Sequence, residues 1–499
     1  MQTETKMSSL EMQDHPSERA SDSTSMNGDH SPNPENARKS VNPGMNSQPG
    51  IDNPSFNLEE LHLSPPPLTY VDFMPLCLEP AVSNEEAPKF AEFSTVMVQA
   101  NQWLKSNPTF AAMKCETFTK KMENNNTVDI DRMTYLQSTY GCNKFLRGLR
   151  LWLMPKPDPR VHVQELAYIT ALPNSAEAVA NSGASDLHAM FMPAKFQQNT
   201  ASMPNFCGYS DTMVKLGKFL KKKPLPGSIL NIENLKLKYD DTHPDVSLDS
   251  EAMSWVESGK SNRVFINAVR VYYVMGKPAF EDVGYYDELP ISLNNFELMS
   301  RPRFCPFTTV VERARKWIRQ KKGIRVVNIQ TVDVPCEKSS STGETVVKSN
   351  NAGYMESPGK DSHFARVLRI FYINDLKSDV CMYESVKLTT RLFIPLRYND
   401  TGKTFETFSK TMQRIVKWLQ YNNLPVLGVE IVRYPFTPDS YGNGVSYDKS
   451  DMFLHYDSGK YFVDTVRLYF PGDFKEPPVE VVPDVASAEG WGWWACVVS

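Results

Sequence analysis

Four arginines recur in one short pattern. Phe145 precedes Leu149-Arg150-Leu151-Trp152, and Phe265 precedes Val269-Arg270-Val271-Tyr272. Phe364 precedes Leu368-Arg369-Ile370-Phe371, and Phe462 precedes Val466-Arg467-Leu468-Tyr469. A guanidinium presents a fork of donors that suits carboxylate or phosphate, so Arg150, Arg270, Arg369 and Arg467 could ring a bound anion. Each also has a polar counterpart in a short apolar stretch upstream: Glu116, Glu233, Gln330 and Glu430. On adjacent strands the three acids would pair with the arginines, and Gln330 would hydrogen-bond in the third copy. Four repetitions in one chain fit a shared folding need better than four active sites, so the structural pairing is the expectation. Other chemistry is absent. Gly402-Lys403-Thr404 lacks the phosphate-loop glycine, having Arg397 there, and Gly259-Lys260-Ser261 has Ser254. No G-x-S-x-G elbow exists, and no histidine pair has metal-ligand spacing. No catalytic residue, metal ligand or cofactor is therefore expected.

The elements around these arginines repeat as well. Each copy opens on an extended segment ending at proline: Phe73-Met74-Pro75, Phe191-Met192-Pro193, Glu288-Leu289-Pro290 and Phe393-Ile394-Pro395. A helix follows with two aromatics ten residues apart: Phe93 and Trp103, Tyr209 and Phe219, Phe307 and Trp317, Phe408 and Trp418. Ten residues are nearly three turns, so both rings should lie near one buried face. The Glu/Gln strand comes next, then a polar loop of some 25 residues, then the arginine strand. Period-two alternation puts Phe and the aliphatics on one face of that strand, Arg and the last aromatic on the other.

The expected fold is α+β: four tandem strand-helix-strand-strand repeats at about 67–157, 163–278, 283–376 and 383–475. One such unit leaves apolar surface exposed, so the units should pair two by two, with antiparallel sheets and helices on one face. Residues 1–60, rich in Ser, Asn, Pro and charge with Phe56 as the one aromatic, read as a disordered tail. Residues 476–499 read as a flexible acidic tail.

The net charge of −4 argues against nucleic acid as the partner. Eight cysteines without paired spacing argue for a reducing compartment. No signal peptide is expected, and no apolar run reaches the ~18 residues of a membrane span.

Cys496-Val497-Val498-Ser499 resembles the CaaX box of prenylated proteins, with Ser favouring farnesyl. The resemblance covers four residues. It implies a prenyltransferase as partner, a lipid on Cys496, and a cytoplasmic protein peripheral to membranes. One prenyl chain anchors only marginally. Trp491, Trp493 and Trp494 could add contact at headgroup level. The third helix offers bases on its outer side, among them Arg315, Arg319 and Lys322, that suit anionic lipid. A second basic cluster lies at Lys218, Lys221, Lys222 and Lys223.

The resulting expectation is a non-enzymatic binding or adaptor protein, loosely attached to cytosolic membrane faces, with an unknown protein or small-molecule partner. The alternative is a small-molecule binder. Paired strand-helix-strand-strand units resemble bacterial effector-binding domains and the SOUL haem-binding proteins, which implies an amphipathic ligand or tetrapyrrole in a groove between repeats.

Overall fold

The computed structural model describes residues 67–483. Excluded within that span are 140, 157, 159–161, 175–193, 196–205, 240–246, 260, 294–300, 340, 342, 375–382, 384, 399–404, 437–446 and 455–459. Repeat 1 comprises β1 (Thr69–Phe73), α1 (Phe93–Ser106), β2 (Phe110–Lys121), β3 (Thr134–Gln137) and β4 (Cys142–Pro155). Repeat 2 comprises β5 (Leu166–Ala171), α2 (Tyr209–Lys222), β6 (Gly227–Tyr239), β7 (Ser254–Ser258) and β8 (Arg263–Met275). Repeat 3 comprises β9 (Asp282–Glu288), α3 (Phe307–Gln320), β10 (Ile324–Lys338), β11 (Gly353–Glu356) and β12 (Ser362–Asn374). Repeat 4 comprises β13 (Thr389–Phe393), α4 (Phe408–Asn422), β14 (Gly428–Phe436), β15 (Asp451–Leu454) and β16 (Lys460–Phe470). A few strands of two or three residues lie outside this scheme.

Two expectations need correction. The repeat is not strand-helix-strand-strand, because the polar loop holds a further strand in every copy. Nor do the repeats pair two by two. Each extra strand leaves its own repeat and pairs with the arginine strand of the preceding one: β7 with β4, β11 with β8, β15 with β12. The first copy completes the cycle, since β3 pairs with β16 of repeat 4. Four small antiparallel sheets thus form a closed, propeller-like ring. A pair would have left two open junctions; the ring covers every junction and leaves no repeat at an end. The opening strand of repeat 2 also differs. It is Leu166–Ala171, followed by Leu172-Pro173, whereas Phe191-Met192-Pro193 lie outside the described residues.

The alternating arginine strand explains why the ring holds. In each sheet it lies between the inner strand on one edge and the opening and donated strands on the other. Leu149 and Leu151 of β4 pack on α1 of their own repeat. Trp152, on the other face, packs among Phe408, Met412 and Trp418 of α4 in repeat 4. Tyr272, Phe371 and Tyr469 join the helix clusters of repeats 1, 2 and 3 in the same way. Both faces of the strand are therefore buried, each under a helix from a different repeat. In three inner strands the register slips by one residue, at Met113, Leu230 and Val327. Each of these extra side chains packs into the core of the preceding repeat. Such recurring bulges re-aim a side chain.

The start of the acidic C-terminal segment touches the ring at two buried points, Pro477 and Val482, while Glu476, 478–481 and 483 are exposed. Glu476 accepts the Trp418 indole N–H at 3.0 Å. Val482 is buried in one cluster with Leu68, so both ends of the described chain share a core. Among the described residues no helix is long and apolar enough to cross a membrane.

Candidate functional site

The four inner strands β2, β6, β10 and β14 surround the axis of the ring. Their acids and amide reach across to the backbone of the preceding repeat. Glu116 accepts the Ile431 N–H at 2.9 Å, and Glu233 accepts the Thr117 N–H at 2.9 Å. Gln330 accepts the Asn234 N–H at 2.8 Å, and Glu430 accepts the Thr331 N–H at 2.6 Å. The second carboxylate oxygens of Glu233 and Glu430 accept the Thr117 and Thr331 hydroxyls. The other oxygen of Glu116 accepts the Trp152 indole N–H at 2.7 Å. These groups bridge inner strands that have no backbone ladder between them.

In register, the arginines stand opposite these same residues: Glu116 with Arg150, Glu233 with Arg270, Gln330 with Arg369, Glu430 with Arg467. Their closest bonds go elsewhere. Arg150 clamps Asp72 of β1 through Nε at 2.6 Å and Nη2 at 2.5 Å. Arg369 clamps Asp287 of β9 at 2.7 Å with both nitrogens. Repeats 2 and 4 lack an acid on the opening strand. There Arg270 donates to Thr170 Oγ1 and the Ser250 carbonyl, and Arg467 to Thr331 Oγ1 and Tyr434 Oη. Glu430 stays 3.7 Å from Arg467.

Every guanidinium also lies on the first aromatic of the preceding helix. Arg150 is 3.6 Å from the Phe408 centroid, Arg270 3.8 Å from Phe93, Arg369 3.8 Å from Tyr209 and Arg467 4.0 Å from Phe307. A desolvated cation over a ring contributes up to about 2 kcal/mol. The arginine thus ties its strand to its neighbour's helix, and the early aromatic is its platform.

A second tier departs from fourfold likeness. Three residues past the acids, the inner strands carry Thr119, Lys236, Asp333 and Arg433. Opposite them are Arg147, Asn267, Arg366 and Asp464. Arg366 donates to Asp333 at 2.9 Å and Arg433 to Asp464 at 2.9 Å. Asp464 also accepts from Lys120 at 3.3 Å. Burial alone would raise the Asp464 carboxyl, but Arg433 and Lys120 hold it below the ordinary range. Lys236 faces neutral Asn267 and donates to Tyr354 Oη at 2.5 Å. Burial lowers Lys236 and Lys120, against opposing pulls from Asp333 and Asp464 respectively. Glu116 is raised by burial despite Lys114 beside it.

Between these tiers lies an axial cavity of about 220 Å³, lined among others by Lys114, Glu116, Glu233, Lys236, Asp333 and Asp464. Its charges are mixed and mostly bonded to protein. Among the described residues no cluster of His, Cys, Asp and Glu could hold a metal ion.

The remaining expected positions are dispersed. Trp418 is fully buried, whereas Trp103, Phe219 and Trp317 are half-buried. Trp317 lies flat on Tyr286 at 4.1 Å. Arg319 and Lys322 are exposed and Arg315 is half-buried. Cys496, Trp491, Trp493 and Trp494 lie outside the described residues.

Helix capping was not legible. Each helix is capped by the following repeat: α1 by Glu251, α2 by Asn350, α3 by Asp448, and α4 of repeat 4 by Asp131 of repeat 1. The main-chain carbonyl of each takes the first helical N–H and its side chain the second. The available signal was an acid or amide just before each donated strand, with Ser or Thr after each helix's first aromatic. No known family model matches the chain, and neither curated proteins nor solved structures gave a match.

Proposed function

We propose that the chain is a non-enzymatic ring serving as a binding and adaptor platform, attached reversibly to cytosolic membrane faces by a farnesyl group on Cys496. The observation that carries the non-enzymatic part is where the axial polar groups spend their hydrogen bonds. The arginines clamp strands and stack on neighbouring helices, and the inner-strand acids hold neighbouring backbones. A catalytic group must keep a bonding site for the reacting atoms; these are engaged in assembly. What a partner can reach is the outer surface. The attachment rests on the terminal tetrapeptide. Fractionation of eukaryotic cells tests it: Cys496→Ser should sharply lower the protein's membrane share, and an unchanged membrane share would reject the lipid.

The second reading, a small-molecule binder, finds support in the axial cavity rather than in grooves between repeats, which the helices fill. At about 220 Å³ the cavity is below the roughly 300–1,000 Å³ of drug-sized pockets, so a small polar molecule fits this reading better than a tetrapyrrole.

A further inference from the structure

Between β8 and β9 the chain turns through Met275-Gly276-Lys277-Pro278-Ala279-Phe280, all exposed. Phe280 is 74 % exposed and has φ 49°. A bulky residue rarely adopts the left-handed region. The backbone around it is pinned. Gly276 N–H donates to the Pro226 carbonyl at 3.0 Å and Ala279 N–H to the Gly227 carbonyl at 3.2 Å. On the other side Glu281 accepts the Ile229 N–H and pairs with Arg325. The ring is therefore held outward at a fixed point, with Met275 (41 % exposed) in the same turn.

This turn joins two basic clusters that are far apart in sequence. Asp282, two residues past Phe280, pairs with Lys221 at the end of α2. Glu281 binds Arg325, just beyond the end of α3. The two ion pairs thus set Lys221 and Arg325 beside the Phe280 turn, which carries Lys277 itself; Lys222 and Lys223 adjoin Lys221 in sequence, and Lys321 and Lys322 precede Arg325. The two acids beside it are both engaged by bases. What faces solvent is an apolar tip with bases in excess around it and one exposed acid, Glu165, whose main-chain carbonyl accepts the Met275 N–H at 2.8 Å.

We propose that this end of the ring docks on anionic bilayers, with Phe280 inserted among the headgroups and the lysines of α2, the turn and α3 against lipid phosphates. The proposal deepens the membrane part of the proposed function and supplies the second contact that a single lipid chain requires. It puts the contact at the C-terminal ends of α2 and α3, not along the outer side of α3. A bilayer suits a tip that pairs one apolar wedge with scattered charge. Single-stranded nucleic acid calls for a groove of successive stacking rings.

The test uses the full chain carrying Cys496→Ser, so that no lipid contributes. It should sediment with vesicles of phosphatidylcholine mixed with phosphatidylserine and not with phosphatidylcholine alone, and added salt should release it. Phe280→Gly should lower the partition about tenfold while thermal stability stays level or rises, because glycine relieves the left-handed backbone. Phe280→Trp should show blue-shifted emission on binding and quenching by brominated lipid. Failure to sediment, a tryptophan that stays in water on bound protein, or retention by single-stranded RNA instead of vesicles would each overturn the proposal. None of these depends on farnesylation, which the fractionation of Cys496→Ser reads separately.

Discussion

Asp464 occupies the arginine-strand position that carries Arg147, Asn267 and Arg366 in the other repeats, and it reverses the charge of its pair. Its carboxylate holds Arg433 and Lys120 together in the ring's interior. Removing one member of a buried pair strands the others, so Asp464→Asn should cost about 3–5 kcal/mol at neutral pH. The pH dependence follows from linkage. Folding depresses this pKa, so the unfolded chain takes up the proton first. The stabilisation is complete above the ordinary carboxylate range and is lost as pH falls through it toward the folded value. Asparagine does not titrate there. The gap in urea midpoint between wild type and Asp464→Asn should therefore be constant from about pH 7 to about pH 5 and narrow from there toward about pH 3. A gap constant over the whole range would mean that Asp464 is not the charged partner described. At this scale the sequence showed which residues recur, the arginines and the Glu/Gln series. It did not show their partners. Alternation reports the face on which Arg150 lies, but Asp72 and Phe408 reach that face from another strand and another repeat.

The helices show what an element gains from the ring. Glu92, Gly208 and Pro306 precede α1, α2 and α3 and offer no side-chain cap. Read alone, these helices start poorly. Asp448 supplies the missing acceptor for α3, taking the Thr308 N–H at 2.8 Å and its hydroxyl at 2.9 Å. Burial raises the Asp448 carboxyl, so its charge is no asset there, and Asn350 performs the same task in repeat 3 as an amide. Asp448→Ala should thus cost about 1–2 kcal/mol, while Asp448→Asn should cost a few tenths. Chemical denaturation of both variants measures this, and equal losses would refute a capping role. The donated strands escaped the sequence reading for a related reason. Gly353-Tyr-Met-Glu and Asp451-Met-Phe-Leu are four residues long, set in polar loops, and too short to show a period. Their partners lie in the preceding repeat, and hydrophobic pattern carries no address. The helices and arginine strands were legible because each buries a long, regular face.

For the whole molecule, closure changes what a terminal repeat means. In an open array each repeat contacts only its neighbours, and contacts at the ends count least. Here repeat 1 gives β3 to repeat 4 just as repeats 2, 3 and 4 give β7, β11 and β15 to the repeats before them. Tyr135 of β3 faces Phe462 at 5.2 Å between centroids, and Tyr354 of β11 faces Phe265 at 5.4 Å. The first contact closes the ring; the second is internal. If closure is integral to folding, Tyr135→Ala and Tyr354→Ala should each destabilise by roughly 2–4 kcal/mol, near the range for truncating a large core aromatic. Their costs should agree within about 1 kcal/mol, the scatter expected when burial differs somewhat between equivalent sites. Both variants should unfold in urea in one transition with the wild-type slope, because loss of any junction exposes the helix cores on both sides of it. A Tyr135→Ala protein as stable as wild type, or one that melts in two steps with repeats 1 and 4 released first, would describe an open array whose ends merely touch.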